Sequence, residues 1–81
     1  MADRTSAELF GILFEVLAQN PNEDNKALAK QFFELSDGYD FSYDQMYADE
    51  ALITLGLAKR GVDPAWPDEG EQILYFGEHF E

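Results

Sequence analysis

The 81-residue chain contains no cysteine, which removes disulfides, thiol nucleophiles, iron–sulfur ligation and thiolate zinc sites together. Its one histidine, His79, has no second histidine to share a metal and no role in activating a nucleophile. Beside Glu78, it reads as a solvated side chain. Cations are scarce as well: 5 Lys and Arg stand against 17 Asp and Glu, for a formal net charge of -12. Such a chain is repelled by phosphate backbones and anionic lipid, so neither nucleic acid nor a membrane is expected as a direct partner. Long apolar runs are missing too. The cluster from Leu9 to Phe14 is interrupted by Gly11 and closed by Glu15, and Met1-Ala2-Asp3-Arg4 lacks the basic start of an export signal. The expected location is the cytoplasm, whose reducing conditions suit a chain without cysteine.

Motifs that name a chemistry are also wanting. Ser6, Ser36 and Ser42 lie outside any G-x-S-x-G context, and the glycines at 11, 38, 56, 61, 70 and 77 form neither a phosphate loop nor a dinucleotide fingerprint. A calcium loop begun at Asp40 offers Ser42 and Asp44 at its third and fifth places, then fails. Gln45 stands where the turn needs glycine, and Ala51 stands where a bidentate glutamate is needed. Pro64-Ala65-Trp66-Pro67 has the spacing of a polyproline ligand without its flanking cation, and reads as a rigid turn that folds Trp66 onto the core. No catalytic residue, metal or cofactor is assigned, and the chain is not expected to be an enzyme.

What the chain does have is apolar mass. Hydrophobic residues make up 46% and aromatics 15%, too much for a disordered tail and enough for one small domain over 1–81. A domain of this size buries about 60% of its unfolded surface. Repulsion among its net negative charges opposes compaction, so its stability is expected to rise with salt.

Thr5 and Glu8 have capping-box spacing, and Leu9, Ile12, Leu13, Val16 and Leu17 follow at helical period. Asn20-Pro21 stops this first helix and Asn22 caps a second, with Glu23 and Asp24 in its first turn, Leu28, Phe32 and Leu35 as its face and Gly38 as a left-handed stop. The short link predicts an antiparallel helical hairpin. Ser42 and Gln45 form another capping box. A third helix reaches about Arg60, ending on Lys59, Arg60 and Gly61; alternatively Asp49 caps a later start and leaves 43–48 as a separate turn. Val62 to Gly70 holds the loop chemistry of the second half. Segment 69–80 fits a helix, with Ile73, Phe76 and Phe80 on one face, or a short strand over Ile73 to Phe76. The helix is favoured because no second strand-like run exists to pair with the strand. The expected fold is all-α, a small bundle of three to four short helices.

Charge is divided unevenly. Residues 1–36 carry 3 basic and 6 acidic groups, net -3, whereas 37–81 carry 2 and 11, net -9. The densest stretch runs from Asp37 to Glu50 and alternates acids with aromatics: Asp37, Tyr39, Asp40, Tyr43, Asp44, Tyr47, Asp49 and Glu50. On a helix Tyr43 and Tyr47 share a face, and carboxylates four residues apart stand about 6 Å apart, on the scale of successive phosphates. These eight residues are either a solvated surface or the face that meets a partner. That partner would be basic, a protein that itself handles nucleic acid. In size and charge the chain is similar to phage and plasmid inhibitors, among them anti-CRISPR and other DNA-mimic proteins, a similarity of category that rests on no motif and transfers no residue. A second candidate surface is apolar: Phe10 and Phe14 beside the stripe of the first helix, with Phe33 on the second. They either accept a further helix or make a symmetric homodimer, which would suit a structural or assembly protein with no inhibitory role.

Overall fold

A computed structural model of the protein describes residues 4–76 and shows a mixed α/β fold. Helix α1 runs over Arg4–Ala18, α2 over Glu23–Ser36, a 3-10 turn over Tyr43–Met46 and α3 over Asp49–Thr54. Strand β1 (Ala58–Val62) and strand β2 (Glu71–Tyr75) follow, with a second 3-10 turn, Pro67–Glu69, between them. The expectation of an all-α bundle is therefore corrected. The strands form a two-stranded antiparallel sheet in which Ala58 faces Tyr75, Arg60 faces Ile73 and Val62 faces Glu71.

The first two helices form where expected. Asn22 caps α2 by accepting the Asn25 amide at 2.8 Å, and the Asn25 side chain donates to the Asn20 carbonyl at 2.8 Å, fastening the link to the second helix. The pair is antiparallel: Phe14 meets Phe33 at 6.2 Å between ring centroids, and Phe10 meets Tyr39, beyond the end of α2, at 5.4 Å. Two local readings change. Thr5 lies inside α1, and Glu8 accepts from Arg4 Nε at 3.2 Å. Gly38 is not left-handed; α2 ends with Asp37 in a helical conformation.

Both helices turn a different face inward from the one their large aliphatics suggest. In α1 the buried residues are Ala7, Gly11, Phe14 and Leu17, while Leu9, Ile12 and Val16 are 61%, 59% and 55% exposed. In α2 they are Ala29, Phe33 and Ser36, with Leu28 and Leu35 exposed. Close approach decides the matter. A β-carbon on Gly11 would collide with the Met46 carbonyl oxygen and lie 3.0 Å from its carbon, so the backbone of the 3-10 turn rests directly on this glycine. Hydrophobicity alone favours the leucine stripe, but only the Ala7–Gly11 side lets another segment reach the helix axis closely.

The third helix is six residues long and stops well short of Arg60. Gly56, at φ 79°, donates to the Ile53 carbonyl at 3.1 Å, and Leu57 donates to that of Leu52 at 2.8 Å. This pair of bonds is a Schellman cap, with Leu52 and Leu57 both buried at the junction. Beyond it Lys59, Arg60 and Gly61 belong to β1 rather than to a helix end, and they supply the pairing partner that segment 71–75 needs. Segment 69–80 is thus a strand over 71–75; Phe80 and His79 lie outside the described residues. In the loop between the strands, Asp63 accepts the Ala65 amide through its carboxylate at 2.9 Å. Trp66 does not fold onto the core but stands 62% exposed.

Candidate acidic and aromatic site

Residues 37–50 form the connection from α2 to α3, and they are not one helix. Ser42 and Gln45 do cap the short turn that follows them, with the Ser42 amide donating to Gln45 Oε1 at 2.8 Å. The turn ends at Tyr47, which adopts the left-handed conformation (φ 54°, ψ 34°), and α3 starts afresh at Asp49 with Ala48 as its cap. Of the two readings of the third helix, the later start is the one observed, with Asp49 as its first residue instead of its cap.

This geometry separates the two central tyrosines. Tyr43 is buried, stacked on Phe33 with centroids 4.7 Å apart and tilted against Tyr75 at 5.1 Å. Tyr47 is 71% exposed. They do not share a face, and the helical spacing of carboxylates that would imitate successive phosphates is absent from this stretch. Tyr39 is exposed yet leans on Phe10 and, at 6.0 Å, on Phe41.

The acids have unequal work. Asp37, Asp40 and Asp44 are exposed. Asp49 is half-buried and accepts from the Tyr75 hydroxyl at 2.7 Å, tying α3 to β2. Glu50 is paired with Arg60 of β1. The guanidinium of Arg60 is held above its ordinary pKa first by the hydrogen bond it donates to Glu50, then by the charge of that carboxylate, with Glu71 and Asp49 adding to it.

Two open clefts flank the segment. One, of about 310 Å³, is lined by Asp37, Tyr39, Tyr43 and Asp44 together with Ser36, Phe41, Ser42 and Tyr75. The other, of about 530 Å³, is lined by Tyr47, Asp49 and Glu50 with Glu15, Ala48, Ala51 and Arg60. Asp40 lines neither. Glu15 and Arg60 were not foreseen here. Nothing local in α1 marks Glu15, and Arg60 reads as a helix end until its strand is known. Carboxylates beside exposed phenol rings are the groups that suit ammonium and guanidinium ligands.

The apolar candidates fare differently. Phe14 and Phe33 are fully buried and pack on one another, and Phe10 is half-buried between Phe14, Tyr39 and Phe41. A homodimer face that needs Phe14 and Phe33 at the surface is therefore closed off, since those two rings fill the space between the helices, while Phe10 stays half-buried at its edge. Among the described residues, no helix is long and apolar enough to cross a membrane. Comparison with family models, with curated proteins and with solved structures gives no match to this chain, so its functional reading rests on its own residues.

Proposed function

We propose that the protein is a non-enzymatic binding module that occupies a basic surface on a cytoplasmic nucleic-acid-binding protein and thereby inhibits it. The observation that carries this reading is the lack of any cation between Lys30 and Lys59, a span in which Asp37, Asp40 and Asp44 all reach solvent. A one-signed field of this kind accelerates encounter with an oppositely charged surface and disfavours other partners. Tyr47 adds to it. The left-handed conformation costs a non-glycine residue about 1 kcal/mol, and the ring so placed points to solvent instead of the core, as suits an interface anchor. The carboxylates act as a diffuse anionic field rather than as a helical copy of phosphate spacing.

The test is reversal of Asp37, Asp40 and Asp44 to lysine, sparing Asp49 because its carboxylate receives the Tyr75 hydroxyl. Each reversal adds two charges, taking the chain from -12 to -6. Binding to a basic nucleic-acid-binding protein, recovered from lysate at low salt and competed by DNA, is expected to fall at least a hundredfold, about 2.7 kcal/mol, with circular dichroism unchanged. Undiminished binding by the folded variant would refute the proposal.

A further inference from the structure

Of α1 only Glu15 borders the acidic clefts; the exposed aliphatic side chains of this helix line neither of them. Leu9, Ile12 and Val16 recur there at i, i+3 and i+7, the a and d spacing of one heptad. Between them these side chains leave on the order of 300 Å² of apolar surface in water, the lower end of the largest patch on a typical monomer, which is often functional. Beside this ridge runs a shallow groove of about 230 Å³, lined by Ser6, Leu9, Phe10, Leu13 and Tyr39.

From this pairing of ridge and groove we infer that α1 is the contact face of a symmetric homodimer. A ridge flanked by a groove is self-complementary: under a two-fold axis the ridge of each copy enters the groove of the other. Charge favours a second copy as the occupant. Helix α1 itself carries only Arg4, Glu8 and Glu15, net -1, whereas residues 37–81 carry -9. Two such anions repel least when they meet through α1, and a basic molecule is drawn instead to the far more negative half. The contact differs from the Phe10–Phe14–Phe33 face in leaving out the buried Phe14 and Phe33 and keeping only the half-buried Phe10, at the groove wall.

Sedimentation velocity on the full chain, at protein concentrations up to the order of 100 µM and at about 0.05 to 1 M NaCl, tests the inference. The mass is expected to shift from monomer to dimer with concentration, and the shift to grow with salt as repulsion is screened, the reverse of binding to a basic protein. Ile12→Asp is expected to abolish the dimer. Leu9→Ser with Val16→Ser, a milder change should Ile12→Asp unfold the chain, is expected to weaken it at least tenfold. A monomer throughout the range, or a dimer indifferent to these folded variants, would overturn the inference. The variant reversed at Asp37, Asp40 and Asp44 should still dimerise, so the two proposals can fail separately; loss of the dimer in that variant would count against a contact through α1.

Discussion

Gly11→Ala is expected to destabilise the fold by about 2 kcal/mol, against the usual direction of that substitution. In an exposed helix interior, alanine gains about 1 kcal/mol over glycine. Here the added methyl meets the Met46 carbonyl group, and neither side of the contact is a side chain that can swing aside. Overpacking of this kind costs about 3 kcal/mol, which outweighs the propensity gain. Because Met46 precedes the left-handed Tyr47 and the start of α3, the displacement should propagate into the α1 contacts with both segments. Urea unfolding of the two proteins measures the difference, and equal or greater stability of Gly11→Ala would refute the packing described.

The largest loss is expected at Phe33. Its ring is fully buried, stacked on Tyr43 and packed on Phe14, so truncation to alanine removes its transfer energy and leaves a cavity, about 3 to 5 kcal/mol together. A domain of this length has a stability of roughly 4 to 12 kcal/mol, so Phe33→Ala should populate unfolded chain near 37 °C while Phe33→Leu stays folded. Thermal melts followed by circular dichroism decide this. Phe33→Asp should unfold the domain outright, so any loss of association in that variant reports loss of structure and not a broken interface. A small change in melting temperature for Phe33→Ala would place the ring outside the core.

These two residues show what the chain discloses in advance. Several starts and stops set by local chemistry are legible: Asn22 as a cap, the break at Asn20-Pro21, and the Ser42–Gln45 box each depend on atoms a few residues apart, though the Thr5–Glu8 box and the Gly38 stop do not form. The choice of face is not. Leu9, Ile12 and Val16 score as core by hydrophobicity, yet a glycine that admits the Met46 backbone brings the opposite side inward. The sheet is hidden for a similar reason. Ala58-Lys59-Arg60-Gly61-Val62 lacks the run of β-branched and aromatic residues that marks a strand, and its conformation comes from pairing with 71–75 once the Gly56 cap has ended α3. At the candidate site the acids at 37, 40 and 44 lie at the surface as a reading of charge anticipates. The roles of Tyr43, Asp49 and Glu50 depend on Phe33, Tyr75 and Arg60, which sequence distance conceals.

The outward position of Trp66 decides how this molecule can be observed. It is the sole indole in the chain and it sits on the hairpin loop in contact with solvent, so its emission is already that of a hydrated fluorophore before denaturant is added. Tryptophan fluorescence is consequently a poor reporter of folding here, and acrylamide, an uncharged quencher, should quench the native and denatured forms almost alike. The buried Tyr43 and the half-buried Tyr75 packed against it carry the useful optical signal, through near-ultraviolet dichroism.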